Sequence, residues 1–181
     1  MNRSDKKILN HELGRLSVEE FLQSEKLPLV IVLDNVRSLH NVGSVFRTGD
    51  AFRISEIHLC GHTGTPPNKE ISKTALGATE TVQWKHFAST HESIAHLRNN
   101  NFKICSVEQT QNSMMLNQVT FKDNEKIALI FGNEVYGVDE EIVKNSDFCI
   151  EIPQLGFKHS LNISVSVGIV VWELCRSYFK K

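Results

Sequence analysis

Small polar side chains stand at every second position in the apolar C-terminal part of the chain: Ser160, Asn162, Ser164 and Ser166. A hydroxyl or amide that is buried without a partner costs about 1–3 kcal/mol. The row is therefore typical of a site where polar side chains meet backbone or ligand atoms. It follows Pro153 and Gly156, just after a predicted strand.

Three segments that carry glycine and amide side chains each follow an apolar strand. They span residues 34–52, 131–138 and 152–164. Because ligands of α/β proteins bind at the carboxyl ends of the strands, we expect the three loops to converge on one site. None contains the patterns G-x-G-x-x-G or G-x-x-x-x-G-K-[ST], which disfavours a dinucleotide site or a P-loop.

The elements that must position these loops alternate along the chain. Strands are predicted over 29–33, 56–60, 81–84, 102–107, 126–131 and 148–152, with helical patterns at 42–52, 69–76, 89–99 and 139–144. A continuous apolar run such as 29–33 indicates a strand buried on both faces of a parallel sheet. The alternation predicts an α/β fold in which helices flank both faces of a mostly parallel sheet.

Two terminal segments need separate interpretation. From Leu161 onward apolar residues alternate at period two, as in a strand, but the apolar run continues to Phe179 and is too long for one. We therefore predict a C-terminal helix that is buried on most sides.

At the N-terminal end, Ser17 and Glu20 fit a capping box, so residues 1–28 are predicted to be a short helical extension of one domain over 29–181. Residues 108–125 give no clear pattern.

Composition and charge exclude several classes of protein. With 181 residues and 40% hydrophobic content, the chain suits one domain with a sizeable core. Its apolar runs are shorter than the roughly 18 residues of a membrane span, and its charged start lacks the apolar part of a signal peptide. We therefore expect a cytoplasmic protein without a membrane partner. A net charge of −1 gives no overall basic face for nucleic acid.

Cysteine and histidine spacing gives little support for a disulfide framework or a metal site. Cys60, Cys105, Cys149 and Cys175 lie far apart without a C-x-x-C pair, as expected for reduced core residues. His58 and His62 with Cys60 are conceivable metal ligands, but structural zinc usually takes four nitrogen or sulfur ligands. No metal is expected.

The three loop segments resemble the ordered motifs of the SpoU/TrmH family of RNA ribose 2'-O-methyltransferases, within the SPOUT superfamily. The matching stretches are Asn41-Val-Gly-Ser-Val-Phe-Arg47, Phe131-Gly-Asn-Glu134-Val-Tyr-Gly137, and Ile152-Pro separated by seven residues from Leu161-Asn-Ile-Ser. The resemblance implies a deep C-terminal trefoil knot, S-adenosylmethionine as cofactor, an RNA substrate and a homodimer with active sites near its interface. Without a separate RNA-binding domain, recognition by shape favours tRNA over rRNA.

The resemblance also implies a catalytic set of Arg47, Asn41, Glu134, Ser160 and Asn162. Arg47 would stabilise the alkoxide and bind the neighbouring phosphate, or act as the base, although a guanidinium with a pKa above about 12 is a poor base. Asn41 would hold the ribose or orient Arg47, Glu134 would accept hydrogen bonds from either, and the other two would line the site. The simpler alternatives are an ion pair of Arg47 with Asp50, helix caps for the amides and serine, and a solvated carboxylate.

Cofactor and RNA contacts are implied at six further positions. Gly132 would allow close approach of the backbone, and Ile152 and Leu161 would flank the adenine, the alternative for these two being core packing. Arg53, Lys69 and Lys73 are candidates for phosphate contacts, whose affinity would fall with salt. Gln154, Gly49 and Arg53 depart from residues usual in the family, which leaves substrate choice open.

Three alternative functions remain beside the enzyme. They are a catalytically silent RNA-binding relative, a methyltransferase that acts on a base, and a nucleotide-binding α/β module without RNA. Loss of Arg47 or Asn41 would have favoured the silent relative, and both residues are present. The sequence therefore favours a ribose methyltransferase.

Overall fold

The computed structural model describes residues 6–9, 12–122 and 124–180. Its strands are β1 (Leu27–Asp34), β2 (Ile54–Cys60), β3 (Trp84–Phe87), β4 (Lys103–Val107), β5 (Met114–Met115), β6 (Ile127–Phe131) and β7 (Phe148–Glu151). Its α-helices are α1 (Val18–Gln23), α2 (Leu39–Ala51), α3 (Lys69–Ala75), α4 (Ala78–Thr81), α5 (Thr90–Asn99), α6 (Glu140–Lys144) and α7 (Ile163–Cys175). Short 3-10 turns occupy Leu116–Gln118 and Arg176–Lys180.

The strands form one seven-stranded sheet in the order β3-β2-β1-β6-β4-β7-β5. Every neighbouring pair is parallel, which confirms the predicted parallel α/β sheet. From β1 the chain adds β2 and then β3 on one side. The strand on the other side of β1 is β6, which comes later in the sequence. The crevice beyond the carboxyl ends of β1 and β6 is therefore a topological switch point, where α/β proteins bind ligands.

Helices cover both faces of the sheet, as predicted. Ile31 and Leu33 of β1 point into a core shared with α2, α3, α4 and α7. Val30 and Val32 of the same strand point to the opposite face, into a core shared with α5 and α6. All four side chains are buried, so β1 gains apolar burial on both sides, at about 25 cal/mol for each Å².

Helix α2 carries the first motif on its surface and the predicted apolar stripe on its inner face. Ser38 caps the helix by accepting a hydrogen bond from the backbone N–H of Asn41. Val42, Val45, Phe46 and Gly49 are buried, and Arg47 is exposed, as their helical spacing predicted. Asn41 therefore does not cap this helix, which removes one alternative for its role.

The predicted strand over 81–84 is wrong in most of its length. A left-handed Gly77 starts α4, which contains Thr81, and β3 begins only at Trp84. The Thr81 hydroxyl donates to the Asp50 carboxylate of α2 at 2.6 Å. This contact holds Thr81 in a helical turn, a case of tertiary structure overriding the β preference of a threonine.

The C-terminal segment is helical as predicted, and Asn162 is its N-cap. The prediction that it is buried on most sides is wrong. Val165, Ile169 and Trp172, at spacings of four and three residues, are 50%, 37% and 52% exposed. The opposite face of α7 packs into the sheet core through Val167, Val170 and Val171. The described chain therefore covers one face of α7, although both faces of the helix carry apolar residues.

The predicted capping box and the predicted free cysteines are present, although Cys149 is only partly buried. Ser17 and Glu20 form the capping box of α1, while residues 1–5, 10 and 11 of the predicted extension lie outside that part of the chain. All four cysteines are free thiols. Burial raises the pKa of Cys60 to about 12 and that of Cys175 to about 11, so both are protonated at neutral pH. No helix that the structure describes is long and apolar enough to span a membrane.

Candidate functional site

A cavity of about 530 Å³ opens at the carboxyl ends of β4, β6 and β7. Its size is within the range of about 300–1,000 Å³ that is usual for small-molecule sites. The second and third motifs supply most of its wall, as the strand-end rule predicted. The predicted site residues that line it are Gly132, Glu134, Ile152, Ser160, Leu161 and Asn162.

A chain of hydrogen bonds joins the three motifs at one side of this cavity. The Asn162 side-chain N–H donates to Asn41 Oδ1 at 3.1 Å. The Asn41 side-chain N–H in turn donates to Glu134 Oε1 at 3.0 Å. Asn41 is only 9% exposed, and its amide is enclosed between the two partners. The predicted contact between Asn41 and Glu134 is therefore present.

Glu134 holds the start of α2 as well as Asn41. Its two carboxylate oxygens accept the backbone N–H groups of Arg37 and Ser38, each at 2.9 Å. Partial burial raises the pKa of the carboxyl, but these hydrogen bonds outweigh burial, and the pKa lies below its ordinary value. Glu134 is thus an ionised anchor rather than a freely solvated carboxylate. Glu134 forms neither a hydrogen bond nor an ion pair with Arg47 in the part of the chain that the structure describes.

Gly132 lets two backbone segments touch at the floor of the second motif. A Cβ atom at this position would lie 2.0 Å from the carbonyl carbon of Gly137 and 2.0 Å from the nitrogen of Val138. The backbones of Asn133 and Gly137 exchange two hydrogen bonds of 2.9 Å. A side chain at 132 would force this turn open, whereas the contact of Gly132 with a cofactor stays a prediction.

Glu108 and Gln109 also belong to the cavity and were missed by sequence reasoning. Glu108 Oε2 accepts the backbone N–H of Val138 at 3.0 Å, and the Gln109 side chain donates to the carbonyl of His159 at 3.1 Å. The pair follows directly after β4, so the strand-end rule that selected the other loops also applies here. Residues 108–125 show no clear sequence pattern, so no site was predicted in this segment.

Arg47 does not line the cavity of its own chain. It lies six residues after Asn41 on α2, which is about 9 Å along the helix axis and about 240° around it. It borders a shallow surface groove with Ser44 and Phe52. The alternative of an ion pair with Asp50 is wrong, since Arg47 forms no ion pair with any described residue and Asp50 instead accepts from Thr81.

One of the three residues predicted to contact RNA lines this groove. Lys73 lines it and pairs with Glu70 on the same helix at 2.7 Å. Lys69 is exposed at the start of α3, and Arg53 is exposed just beyond α2 with a left-handed φ of 50°. Of the three, Lys73 alone accompanies Arg47 in the groove.

An exposed apolar surface lies next to the groove. It consists of Phe52 and the outer face of α7 with the turn that follows. The Trp172 ring is 6.2 Å from Phe52 and 5.6 Å from Phe179, measured between ring centroids. We call this set, together with Val165 and Ile169, the α7 surface. Phe52 belongs to both features, so Arg47 stands at the edge of the α7 surface.

A separate cluster on the α5 side of the sheet differs from the metal site considered from sequence. His58 has Glu56 and His96 as neighbours, with ligand atoms within 4.8 Å of one another, rather than Cys60 and His62. The Glu56 carboxylate already pairs with Lys85 at 2.9 Å, and Ser93 contacts the His58 ring at 2.7 Å. These partners account for the buried histidine without an ion.

Comparison with known proteins agrees with the geometry. The SpoU rRNA Methylase family matches residues 28–172. A tRNA (guanosine(18)-2'-O)-methyltransferase of Thermus thermophilus is 30% identical over 169 residues, which are 93% of this chain and 85% of the relative. The crystal structure of the A. aeolicus TrmH/SpoU tRNA modifying enzyme is 27% identical with a TM-score of 0.78, over 90% of this chain and 81% of that one.

A further solved structure carries a ligand. An rRNA methyltransferase from Sinorhizobium meliloti, solved with AdoMet bound, is 26% identical with a TM-score of 0.76 and aligns over 86% of this chain and 61% of its own. The family match covers most of the sequence, and it contains all three motifs, of which the second and third line the cavity. This chain belongs to the SpoU family of RNA methylases.

Proposed function

We propose that this chain transfers a methyl group from S-adenosylmethionine to the 2'-hydroxyl of a ribose in tRNA. The observation that carries the proposal is the hydrogen-bonded chain from Asn162 through Asn41 to Glu134 beside the cavity. It joins the three motifs of a family whose relative at 30% identity is a tRNA 2'-O-methyltransferase. That relative acts on a ribose hydroxyl, so ribose is the favoured acceptor.

The cavity suits the proposed cofactor in size and in its lining. Ile152 and Leu161 offer apolar side chains for an adenine, and the close turn at Gly132 brings backbone N–H and C=O groups to the wall. S-adenosylmethionine, when bound, supplies a methyl group on a positively charged sulfur. A concave wall that combines apolar side chains with fixed polar groups is typical of a site for such a molecule.

The protein side chains have to hold the ribose and stabilise the oxygen that loses its proton. Asn41 is fixed at both ends of its amide and is the proposed ribose contact, with Asn162 and Glu134 as its supports. Ser160 lines the same wall. Arg47 keeps its charge at any physiological pH and is proposed to stabilise the developing alkoxide and bind the adjacent phosphate.

Arg47 needs a second protomer to reach a cavity. The α7 surface is apolar, exposed and continuous with Phe52, next to Arg47. Isologous pairing of such a face around a two-fold axis is the commonest way to form a homodimer. We propose this homodimer, in which Arg47 of each protomer completes the cavity of the other.

A trefoil knot is proposed for the path between β7 and α7. Strand β7 lies between β4 and β5, whereas Trp172 of α7 packs against Phe52 at the end of α2. The connection over 152–162 is tied on one side to Gln109 and on the other to Asn41. Passage of this connection beneath the closed turn at 132–138 would thread the chain.

The remaining assignments follow from the proposed substrate. Residues 29–181 are proposed as the SPOUT methyltransferase domain and residues 1–28 as a short extension. Arg53, Lys69 and Lys73 are proposed to contact RNA phosphates, and Lys73, beside Arg47, has the best position. A tRNA substrate is consistent with a cytoplasmic location.

The proposal is tested with purified chain, unmodified tRNA and rRNA fragments, and isotopically labelled S-adenosylmethionine. We expect a 2'-O-methylnucleoside in digests of tRNA and none in rRNA. Arg47→Ala should lower turnover by at least about 100-fold, as expected for loss of transition-state stabilisation, with cofactor affinity changed only a few-fold. Arg98→Ala, which removes an exposed arginine of α5, is the matched control. A methylated base, or RNA binding without methylation, would refute the proposed reaction.

A further inference from the structure

Two adjacent side chains hold both loops of the cavity, although no motif contains them. Glu108 accepts the backbone N–H of Val138 through Oε2 and that of Gln109 through Oε1, at 3.0 Å and 2.9 Å. A Cβ atom on Gly137 would lie only 2.3 Å from Glu108 Oε2, so the carboxylate rests directly on the second motif. The Gln109 side chain reaches the third motif at the His159 carbonyl.

The cavity is lined by three acidic side chains, and among the described residues of its wall His159 is the one basic residue. Three glutamates, Glu108, Glu134 and Glu151, contribute to its wall, and none of the described residues that line it is a lysine or arginine. The Glu134 carboxylate accepts three N–H groups, including the Asn41 amide. Glu108 accepts two backbone N–H groups and forms no ion pair with any described residue. Its charge is therefore not neutralised by a cation.

We propose that Glu108 is a cofactor-positioning residue that selects the positively charged methyl donor over its uncharged thioether product. This inference rests on the proposed function of the cavity. S-adenosylmethionine carries a sulfonium, and S-adenosylhomocysteine does not, so the two ligands differ by one unit of positive charge. A carboxylate in the wall favours only the charged form. The cavity therefore binds the product, which has lost the positive charge, more weakly than the donor, and this difference assists product release.

A purely structural role for Glu108 makes a different prediction. The N–H groups of Val138 and Gln109 hold the loop irrespective of which ligand occupies the cavity. Loss of these bonds would weaken donor and product equally, because the two ligands share adenosine and the amino acid. The ratio of their dissociation constants therefore reports the charge effect and is not moved by a change in loop position alone.

The experiment is isothermal titration of wild type and Glu108→Gln with S-adenosylmethionine, S-adenosylhomocysteine and sinefungin, which bears an amine near the position of the sulfonium. A unit charge several ångströms away in a half-open site changes a binding constant by on the order of tenfold. We expect Glu108→Gln to weaken S-adenosylmethionine and sinefungin by about tenfold more than S-adenosylhomocysteine. Glu108→Asp, which keeps the charge, should preserve the wild-type ratio even if all affinities fall.

The matched control is Glu140→Gln, which removes the same charge from the exposed start of α6 and should leave all three affinities unchanged. Equal weakening of the three ligands in Glu108→Gln would overturn charge selection, and so would unchanged affinities. If wild type itself binds none of the ligands, the proposed cofactor is wrong. That failure is separate from loss of selectivity in a protein that binds them.

Discussion

Glu134→Gln tests whether the carboxylate between the first two motifs anchors the site. Oε1 accepts from the Ser38 backbone and the Asn41 side chain, and Oε2 accepts from the Arg37 backbone. A glutamine can keep its oxygen toward one side only, and its NH₂ group then faces an N–H donor. The change therefore loses at least one hydrogen bond to a charged group and weakens the others.

The size of the effect follows from these contacts. A hydrogen bond to a charged group contributes about 1.5–3 kcal/mol, and about half of that when the acceptor is neutral. Because Glu134 is exposed, solvent reduces the total, and we expect a loss of about 1–3 kcal/mol. For a chain of this length each kcal/mol shifts Tm by about 2–4 °C, so Tm should fall by about 2–12 °C at pH 7.

The same hydrogen bonds make the stability difference between wild type and Glu134→Gln depend on pH. The hydrogen bonds hold the pKa of Glu134 below its ordinary value in the folded state. Stability from an acid with a lowered pKa is fully present above its unfolded value, about 4.3, and is lost as pH falls through the folded value. The Tm gap between wild type and Glu134→Gln should therefore be constant from pH 7 to 5 and shrink below about pH 4.3.

Thermal unfolding followed by circular dichroism at several pH values measures this gap. Glu140→Gln is the control, since Glu140 is exposed and pairs only with Lys144 one turn later on α6. Its Tm should stay within about 2 °C of wild type. A Glu134→Gln variant as stable as wild type at pH 7, or a gap that does not shrink in acid, would refute the anchoring role.

Three further predictions address the cavity and the dimer. Gly132→Ala places a Cβ about 2.0 Å from the Gly137 backbone, so calorimetry should detect no cofactor binding. Heterodimers of Arg47→Ala and Gly132→Ala, isolated with two tags, should regain about half of wild-type activity if Arg47 acts in trans, and none if it acts in cis. Asn162→Asp keeps the helix cap but cannot donate to Asn41, so Tm should fall by no more than about 5 °C in melting curves while kcat falls at least about tenfold in the tRNA assay.

The strand-end segments of the site could be predicted because they depend on order along the chain. In a parallel sheet the loops after β1, β6 and β7 meet at one edge, whatever the details of packing. The same rule applies to Glu108 and Gln109 after β4. They were missed because the residues that follow form only a two-residue strand and a 3-10 turn, which leave no periodic pattern.

Other features depend on contacts that no local pattern contains. Thr81 is helical because Asp50, distant in sequence, accepts its hydroxyl. The burial of α7 was overestimated because a helix that meets a partner chain and one that is covered by its own chain have the same apolar composition. Arg47 belongs to a predicted motif yet lies outside the cavity, and the role proposed for it depends on a second protomer rather than on its own fold.

Asn162 shows why a structural and a functional interpretation of one residue need not compete. Its Oδ1 accepts the backbone N–H of Ser164 and caps α7, while its side-chain N–H donates to Asn41. The cap fixes the orientation of the amide, because Oδ1 must face the helix and the NH₂ group must then face the first motif. The start of the helix therefore sets the position of the site, and the apolar helix that follows provides the surface proposed to bring Arg47 of a second protomer to it.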